Sequence, residues 1–442
     1  MNGSLHPTYS LRGQAFAGQT ERTMLYEQWL RTLDSHADRP ALYDRAGGRI
    51  WSFSDLHRES LSAPPGAPRL VHPSGRDARF VIEVLRGWRS NSVVCPLEPG
   101  QQAPAAAQGV DGFSHLKLTS STTGPARMIG LSGAQMAADA EQIVTTMGLH
   151  EGSPNLGVIS LAHSYGFSNL VLPLLLHGVP LILLPSAFPA AVFQEASQWS
   201  DISLPAVPAL WQAWANGGKL PSSIRLAISA GAPLPVELER LLFERDGIKV
   251  HNFLGASECG GIAYDRTEEP RSDWTIAGTA MEGVQLHISD DGCLEVQSPS
   301  VAETYYPESD DRLGGGVYRS GDLAEIGQSG QIRLLGRATD LINVAGRKVG
   351  PETIEVQIRE HPAVADVLVF SVPEAGGRNE AIVAAVALKH PVSEMELRDF
   401  LGRSLPSWQL PRRWWFLDEV PADVRGKRSR RLWRERFLAA FG

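Results

Sequence analysis

The sequence predicts an α/β protein with a large N-terminal domain of helix-covered sheets that ends in a small distorted β-barrel, followed by a small α+β C-terminal domain. Three observations predict this class. Short strands rich in leucine and β-branched residues alternate with helical stretches between residues 156 and 253, as in a parallel sheet covered by helices. From about residue 278, glycine-punctuated strands indicate antiparallel hairpins. Helices and strands alternate again beyond Gly336, so we expect domains at residues 1–338 and 339–442.

The N-terminal part predicts helices at residues 23–33 and 80–88 from the spacing of their apolar residues. Between these helices, two short strands flank a turn at Gly47 and Gly48. Residues 91–96 predict a buried strand. Ser132 is the expected N-cap of a helix that reaches residue 146.

The alternating region predicts a parallel sheet, in which ligands bind where loops leave the carboxyl ends of the strands. Its expected strands are residues 156–161, 181–184, 202–207, 225–229 and 249–253. Its expected helices are one that ends at residue 176 and those at residues 192–199, 210–215 and 235–243.

The antiparallel region predicts strands at residues 284–288, 292–296, 317–319, 323–326 and 331–335. The C-terminal domain predicts helices at residues 351–359 and 393–401 and a final helix from residue 429. Ser393 and Glu396 have the spacing of a capping box at the start of the second of these helices. The expected C-terminal strands are residues 365–372, 381–388 and 414–417.

Composition excludes several classes of protein. A chain of 442 residues with 43% hydrophobic residues can bury a large core, and its net charge of −8 argues against a general nucleic-acid binder. Cys95, Cys259 and Cys293 lack metal-ligand spacing and indicate a reducing compartment. The N-terminus has no apolar segment of signal-peptide length, and prolines interrupt the most apolar run, residues 170–185. We therefore expect a soluble cytoplasmic protein.

Residues 118–127, LTSSTTGPAR, place hydroxyl groups and a glycine in a turn followed by a cation. Hydroxyls and backbone N–H groups in a tight turn can surround phosphate oxygens, and an arginine adds charge-assisted donors. The alternative is a solvated Ser/Thr loop, and the pattern G-x-x-x-x-G-K-[ST] does not occur. The candidate phosphate ligands are Thr119, Ser120, Ser121, Thr122, Thr123, Gly124 and Arg127.

This stretch is similar to the phosphate loop of the adenylate-forming superfamily, which includes acyl- and aryl-CoA synthetases, peptide-synthetase adenylation domains and luciferases. The family's loop reads approximately T-S-G-[ST]-T-G-x-P-K. Here Ser121 stands at the usual glycine, Ala126 at the usual proline and Arg127 at the usual lysine. Five further stretches resemble the family's motifs in the family's order. The resemblance covers residues 37–431, with a shortened region before the loop.

Residues 229–234, SAGAPL, resemble the family's GGApL turn. The resemblance implies that Gly231 and Ala232 line the adenine and acyl pocket, where glycine lets a planar base approach the backbone. The alternative is an ordinary strand-to-helix turn. Residues 252–258 resemble YG-x-[TS]-E, which implies nucleotide contacts from Asn252, Phe253, Leu254, Gly255, Ala256 and Ser257.

Two positions of this second motif carry particular expectations. Leu254 stands at the tyrosine that usually stacks on adenine, and Phe253 either replaces it or belongs to the core. The resemblance implies that Glu258, together with Thr123, holds Mg²⁺ against the phosphates, because a hard cation needs oxygen ligands.

Residues 318–323 resemble Y-R-[TS]-G-D-L, and residues 336–355 resemble G-R-x-D-x-x-I-K-x-x-G-x-R-[IV]-x-x-x-E-I-E. The resemblance implies that Asp322 accepts hydrogen bonds from both ribose hydroxyls and that Arg337 pairs with the ribose or a phosphate. Gly346 would let a loop pass near the pantetheine thiol. Thr339 stands at the family's hinge, where large dihedral changes are needed.

Residues 421–430 resemble P-x-x-x-x-G-K-[IV]-x-R, which implies that Lys427 bridges the carboxylate and the α-phosphate during adenylation. A lysine in a basic tail is otherwise usually solvated. His163 belongs to a stretch that resembles an aromatic and histidine motif near the acyl carboxylate, and a structural role is the alternative. A serine hydrolase is excluded because Cys259 occupies the last glycine position of the nearest G-x-S-x-G match.

The resemblance implies an AMP-forming acid–thiol ligase that uses ATP and Mg²⁺ and transfers the acyl group to CoA or to the phosphopantetheine of a carrier protein. The C-terminal domain would rotate between the two steps. An apolar pocket formed by His163, Phe167, Val207, Pro208, Gly231 and Ala232 favours an aryl or medium-chain acid. Two alternatives remain open: a non-catalytic adenylate- or acyl-binding protein, and an adenylating enzyme whose second step is not thioesterification.

Overall fold

The computed structural model describes residues 23–62, 69–104, 110–118, 127–373, 380–421 and 429–441. Residues 119–124 of the predicted phosphate loop and Lys427 lie outside the described residues. The described helices, in chain order, are α1 Thr23–His36, α2 Phe53–Leu61, α3 Ala78–Arg89, α4 Gly133–Met147, α5 Ser164–Gly166, α6 Leu172–His177, α7 Pro189–Ala196, α8 Pro208–Gly217, α9 Val236–Asp246, α10 Pro351–Arg359, α11 Glu394–Leu401 and α12 Arg430–Phe441.

The strands are short in the first half of the chain and longer in the second. In chain order they are β1 Pro40–Asp44, β2 Arg49–Ser52, β3 Leu70–Val71, β4 Val93–Val94, β5 His115–Leu118, β6 Met128–Leu131, β7 Asn155–Gly157, β8 Leu181–Leu183, β9 Ile202–Ala206, β10 Ile224–Ser229, β11 Val250–Ala256, β12 Gly260–Tyr264, β13 Ile276–Ala280, β14 Gln285–Ile288, β15 Cys293–Gln297, β16 Thr304–Tyr306, β17 Leu313–Gly314, β18 Val317–Ile326, β19 Gln331–Arg337, β20 Ile342–Val344, β21 Arg347–Val349, β22 Val364–Pro373, β23 Glu380–Leu388 and β24 Arg413–Leu417.

One extended sheet organises the N-terminal part, in the order β14-β15-β18-β19-β13-β12-β11-β10-β9-β7-β8-β1-β2, with β17 beside β18. The pairs from β8 through β7, β9 and β10 to β11 are parallel, whereas those from β11 to β14 are antiparallel. Strand β11 therefore joins the parallel and antiparallel halves. The predicted antiparallel strands therefore continue the large sheet. The described strand order runs from β14 to β2 and does not close on itself.

Three smaller sheets complete the described fold. Strands β16-β6-β5-β4-β3 form a second sheet in the N-terminal part, β20-β21 form a hairpin, and β22-β23-β24 form the C-terminal sheet. The π-helix Phe167–Val171 links α5 to α6, so the apolar segment is one nearly continuous helical unit. No helix among the described residues is long and apolar enough to cross a membrane.

The apolar cores follow the same division. The main core contains buried residues from Leu25 to Ile332, including the fully buried Trp29 and Trp211. Buried residues from Ile342 onward pack on the two faces of the C-terminal sheet, against α10 and α11 on one face and α12 on the other. The change from one core to the others thus falls between residues 332 and 342.

Most predicted elements occur within a few residues of their expected bounds. The predicted capping box forms at the start of α11, where Ser393 Oγ accepts from the Glu396 N–H and the Glu396 carboxylate accepts from the Ser393 N–H. Two predicted strands at residues 317–319 and 323–326 are instead the single strand β18. The predicted strand at residues 156–161 is only three residues long, because the chain turns toward His163 after Gly157.

Candidate active site

The predicted site residues converge on β11, where the large sheet changes from parallel to antiparallel. Ser229, the last residue of β10, pairs in register with Asn252 of β11, so the stretches 229–234 and 252–258 are neighbours. Strand β11 ends at Ala256 and continues into a turn that contains Ser257 and Glu258. Loops at the carboxyl ends of parallel strands are the usual ligand-binding position in this class of fold.

The helical unit that begins after His163 closes one side of this region. Tyr165 Oη lies 3.4 Å from the carbonyl oxygens of Ala206 and Ile228, at the ends of β9 and β10. Its ring also lies 5.9 Å from that of Phe253 on β11. Gly166 allows this packing, because a Cβ there would lie 1.9 Å from the carbonyl oxygen of Ser160. The predicted histidine motif therefore lies at the carboxyl edge of the parallel sheet.

His163 is the N-terminal flanking residue of α5 and is half-buried. Its Nε2 lies 3.1 Å from Oε1 of Glu98, in the loop after β4, and Ser160 Oγ donates to the same carboxylate oxygen. The carboxylate thus fixes the orientation of the imidazole ring. Sequence reasoning missed Glu98, since nothing in the sequence of that loop indicates that it meets His163.

Gly231 and Ala232 lie in the exposed turn between β10 and α9. Gly231 has a φ of +88°, which a glycine adopts without strain. A Cβ at this position would lie 3.5 Å from Val207 Cγ1, so the turn passes close to the start of α8. The predicted pocket residues Val207 and Gly231 are therefore neighbours.

Strand β11 turns alternate side chains to opposite faces. Phe253 is 6% exposed and packs in the main core, whereas Leu254 is only partly buried. The Phe253 ring therefore packs in the core, the second of the two alternatives that the sequence offered. Asn252 Nδ2 donates to the carbonyl of Ala277 at 3.2 Å, while Gly255 is exposed and Ala256 and Ser257 are half-buried.

Glu258 is half-buried beside two tyrosines. Tyr305 Oη on β16 donates to Glu258 Oε1 at 2.9 Å. Burial raises the pKa of Tyr305, and the Glu258 charge raises it further, so the hydroxyl keeps its proton and remains a donor. Burial and the same carboxylate also raise the pKa of Tyr318 on β18. Glu258 therefore faces both β16 and β18.

The residues around Glu258 fit a magnesium site of the kind that substrates complete. The described residues contain no group of three or more metal-ligating side chains. Magnesium is commonly held by one or two carboxylates together with substrate phosphates and water. Glu258, oriented by Tyr305, supplies one such carboxylate, and the predicted second ligand, Thr123, lies outside the described residues.

Asp322 and Arg337 are directly opposite one another on β18 and β19. Arg337 Nε lies 3.1 Å from Asp322 Oδ1, and both side chains are accessible to solvent. The two predicted ribose ligands thus form one cross-strand pair.

Arg127, which directly follows the predicted phosphate loop, reaches the same cluster. Its guanidinium carbon lies 5.2 Å from the centroid of the Tyr305 ring. Its Nη1 donates to Asp310 Oδ2 at 3.1 Å. Tyr305 therefore contacts both residues: Arg127 lies over its ring, and its hydroxyl donates to the Glu258 carboxylate. Neither Tyr305 nor Asp310 belongs to a motif that the sequence reasoning used, so both were missed.

Gly346 lies in the C-terminal domain, at the turn between β20 and β21. Its φ is +83°, and its N–H donates to Asn343 Oδ1 at 3.0 Å. The preceding Ala345 also has a positive φ, of 51°, which is uncommon for a residue with a Cβ. The structure therefore describes this tight turn, while Lys427, Thr119, Ser120, Ser121, Thr122, Thr123 and Gly124 lie outside the described residues.

Comparison with known proteins gives matches along most of the chain. Residues 86–306, which are 221 of the 442 residues, match the family described as AMP-binding enzyme. Residues 353–427 match the family described as AMP-binding enzyme C-terminal domain. The two matches fall on either side of the change in core between residues 332 and 342.

Individual relatives are distant in sequence. The chain is 28% identical over 340 residues to triostin synthetase I of Streptomyces triostinicus. The aligned region covers 72% of this chain and 64% of the relative. It is 26% identical over 376 residues to 2,3-dihydroxybenzoate-AMP ligase of Bacillus subtilis. That aligned region covers 78% of this chain and 69% of the relative. The chain thus spans about two thirds of the length of these relatives.

The fold matches solved structures more fully than the sequence does. ATP-bound MatB from Rhodopseudomonas palustris superposes with a TM-score of 0.84, covering 95% of this chain and 100% of that chain, at 20% sequence identity. At this identity the likeness concerns the fold alone. The shared fold includes both the N-terminal and the C-terminal parts of the chain.

Proposed function

This chain belongs to the AMP-binding enzyme family, and we propose that it activates a carboxylic acid with ATP. The acid's carboxylate attacks the α-phosphorus of ATP, a bond to the acyl oxygen forms, and pyrophosphate leaves. A thiol then attacks the acyl carbon, a thioester forms, and AMP leaves. The thiol belongs to CoA or to the phosphopantetheine of a carrier protein.

The observation that carries this proposal is that four of the predicted motif stretches pair with one another within the large sheet. Ser229 and Asn252 pair on β10 and β11, Tyr305 binds Glu258, and Asp322 pairs with Arg337. The outermost of these residues, Ser229 and Arg337, are 108 positions apart in sequence. Their convergence supports a site that binds the base, ribose and phosphates of one nucleotide.

The described residues have distinct roles in this proposal. Asp322 accepts hydrogen bonds from the ribose hydroxyls, and Arg337 holds Asp322 and donates to the ribose or α-phosphate. Gly231 and the exposed backbone around Gly255 allow the adenine ring to approach closely. His163, oriented by Glu98, donates toward the carboxylate of the acid.

Charge stabilisation in the first step needs cations around the phosphates. Arg127 supplies one cation from the described residues, and we propose Lys427 as the second. Glu258 would hold Mg²⁺ with the phosphates, and the bound ion would neutralise part of the charge on the leaving pyrophosphate. Tyr305 keeps the Glu258 carboxylate oriented for that role.

The proposed substrate is an aryl or medium-chain acid. The Gly231 turn lies beside Val207, and these two residues favour an apolar group. Phe167, which the sequence also placed in the pocket, is fully buried and its ring packs against Phe80 and His115 instead. The B. subtilis relative is named for an aryl acid.

The proposed domain boundary lies at residues 338 and 339, between the cores. A short 3₁₀ turn, Ala338–Asp340, connects β19 to the C-terminal domain. We propose that this turn bends between the two steps, so that Lys427 leaves the site and the Gly346 turn approaches the thiol. Glycine at the tip of that turn leaves room for a narrow pantetheine arm.

Acid-dependent formation of AMP tests this proposal and identifies the acceptor. Aryl and medium-chain acids would be supplied with MgATP, alone, with CoA or with a phosphopantetheinylated carrier protein. AMP release accompanied by an equal loss of free thiol would support the acid–thiol ligase. AMP release without thiol loss would show that the second step is not thioesterification. ATP binding without AMP release for any acid would favour a non-catalytic nucleotide-binding protein.

A further inference from the structure

A fully buried carboxylate, that of Asp139 on α4, lies against the turn that follows Glu258. Its side chain is 0% exposed. Burial of a charged group is costly unless hydrogen bonds or an opposite charge compensate it. The partners of this carboxylate therefore show which parts of the chain it holds together.

One oxygen of the carboxylate contacts the backbone of β12. The Gly261 N–H donates to Asp139 Oδ1 at 3.3 Å. Gly260 has a φ of +71°, and a Cβ at this position would lie 2.1 Å from the same oxygen. Only a residue without a side chain fits between the carboxylate and the turn. Asp139 thus packs directly on the backbone two and three residues after Glu258.

The other oxygen contacts two further elements. Ser168 Oγ, on the π-helix Phe167–Val171, donates to Asp139 Oδ2 at 2.5 Å. The buried Lys117 on β5 places its Nζ 3.8 Å from the same oxygen and supplies the opposite charge. The π-helix belongs to the helical unit that begins after His163. Asp139 therefore joins this unit to the turn after Glu258.

Gln142, three positions after Asp139, holds the same turn at a second place. Residues with this spacing lie on one face of a helix. Gln142 Nε2 donates to Ser298 Oγ at 2.9 Å. Ser300 Oγ lies 2.9 Å from Gln142 Oε1 and 2.7 Å from the carbonyl oxygen of Cys259. One face of α4 thus supports the turn directly through Asp139 and indirectly through two buried serines.

We propose that Asp139 is a positioning residue of the candidate active site, which fixes the turn that carries the Glu258 carboxylate. The inference rests on the proposed function, in which Glu258 holds Mg²⁺ with the phosphates of ATP. A buried ion pair often stabilises a fold no more than apolar residues of similar volume would. A hydrogen-bonded buried carboxylate, however, permits few arrangements of its partners. Because Asp139 is fully buried, it acts through the turn and not by contact with a substrate.

The experiment measures how much magnesium strengthens ATP binding. Isothermal titration calorimetry gives the dissociation constant of ATP with excess Mg²⁺ and with EDTA, in the absence of any acid. The ratio of the two constants is the magnesium effect. A substitution that only loosens the fold weakens both constants alike and leaves this ratio unchanged.

Four variants are compared with wild type. Asp139→Asn keeps the shape of the side chain but loses the charge and one acceptor oxygen. Because it leaves the Lys117 charge unpaired, the double variant Lys117→Met with Asp139→Asn removes both charges. Glu258→Gln removes the proposed metal ligand itself. Ile143→Ala is the control: it removes a fully buried apolar side chain of α4, which takes no part in the hydrogen bonds.

We expect Asp139→Asn to reduce the magnesium effect by about 10-fold, since residues that orient a metal ligand typically change affinity to this extent. The double variant should show the same reduction, and it carries the comparison if thermal unfolding shows that Asp139→Asn does not fold. Glu258→Gln should reduce the effect at least as much. Ile143→Ala should lower the Tm but leave the magnesium effect within about 2-fold of wild type.

Three results would overturn the inference. An unchanged magnesium effect in the folded Asp139 variants would show that the network only stabilises the core. An equal reduction in Ile143→Ala would show that any loosening of α4 has the same result. Wild-type protein that binds ATP equally well with Mg²⁺ and with EDTA would remove the premise.

The same measurements separate this inference from the proposed function. Failure of all acids to release AMP, with a magnesium effect that depends on both Glu258 and Asp139, would reject acid activation and keep the positioning role. Acid activation with a magnesium effect that depends on Glu258 but not on Asp139 would keep the proposed function and reject the positioning role.

Discussion

Asp322 and Arg337 illustrate how two residues 15 positions apart in sequence are brought together by strand pairing. They face each other across β18 and β19, and their side chains meet at 3.1 Å in a solvent-accessible position. An exposed ion pair of this kind contributes only about 0–1 kcal/mol to stability. The fold therefore depends little on this pair, and a substitution at Asp322 can test the proposed ribose role without unfolding the protein.

Asp322→Asn should raise the KM for ATP by about 10-fold or more, because two hydrogen bonds from hydroxyls to a charged acceptor are weakened. It should also reduce discrimination between ATP and 2′-deoxy-ATP, which lacks one of those hydroxyls. Steady-state kinetics with both nucleotides measures this. Glu325→Gln, an exposed residue on the same strand, is the matched control, and an equal effect of both substitutions would contradict the ribose role.

Tyr305→Phe removes the hydroxyl that donates to Glu258 and leaves the ring beneath Arg127 in place. We expect the Mg²⁺ concentration needed for half-maximal AMP formation to rise by about 10-fold, since residues that orient a metal ligand typically affect affinity to this extent. A magnesium titration at saturating ATP measures the change. Tyr43→Phe, on β1, provides the comparison. The same magnesium requirement in both variants would argue against a metal role for Glu258.

At the scale of the element, the C-terminal helix α12 is attached through its first residue. Arg430 Nη1 lies 2.9 Å from both Asp340 Oδ2 and Glu352 Oε1, and its Nη2 lies 2.9 Å from Glu355 Oε1. Arg430 Nε also donates to the carbonyl of Val369 on β22. One guanidinium therefore connects α12 to the turn after β19, to α10 and to the C-terminal sheet.

Arg430→Met should lower the free energy of unfolding of the C-terminal domain by about 2–3 kcal/mol. Loss of one partner from a fully buried ion pair costs about 3–5 kcal/mol, and the value is smaller here because a fifth of the Arg430 side chain is exposed. Urea denaturation followed by tryptophan fluorescence measures the loss. Arg431→Met removes an exposed pair with Glu435 and should cost less than about 0.5 kcal/mol. Equal losses of unfolding free energy in the two variants would mean that the Arg430 contacts stabilise the domain no more than an exposed ion pair does.

Strand β5 carries a buried histidine directly before the predicted phosphate loop. His115 is 1% exposed and its ring lies 4.4 Å from that of Phe167. Burial, with a smaller effect from Lys117, holds the pKa of His115 well below its ordinary value. The folded protein therefore keeps this histidine neutral, while the unfolded chain protonates it below a pH of about 6.5.

The sign of the resulting pH dependence follows from this difference. The contribution of His115 to stability is complete above pH ~6.5 and is lost as the pH falls, at about 1.4 kcal/mol per pH unit. His115→Asn removes this contribution, so the stability difference between wild type and variant should shift by that amount per unit below pH ~6.5. Urea denaturation at several pH values measures the slopes. Parallel slopes for the two proteins would contradict a neutral buried His115.

At the scale of the whole molecule, sequence pattern was sufficient where local chemistry determines structure. The capping box of Ser393 and Glu396 predicted the start of α11, and the apolar spacing of residues 351–359 predicted α10 with the same bounds as in the structure. Both features depend on residues close together in sequence. The motif stretches also supplied the candidate residues that pair on β10 and β11 and on β18 and β19, but that pairing depends on the fold.

The parts that sequence did not predict depend on distant contacts. Strands β12 and β13 are short and contain glycine, so they lack the alternation that marks a strand, and they form because β11 and β19 pair with them. The partners of His163 and Arg127, which are Glu98 and Asp310, come from loops without a motif. No local pattern could place these carboxylates beside their cations.

The most direct test of acid activation is carboxylate-dependent exchange of labelled pyrophosphate into ATP, with Lys427→Ala beside the wild type. The reaction reports the first step alone and needs no thiol. We predict exchange with aryl or medium-chain acids that falls by at least about 100-fold in the variant, because one cation around the α-phosphate of the transferred adenylyl group is lost. Absence of exchange with every acid, in wild-type protein that binds ATP, would contradict the proposed activity.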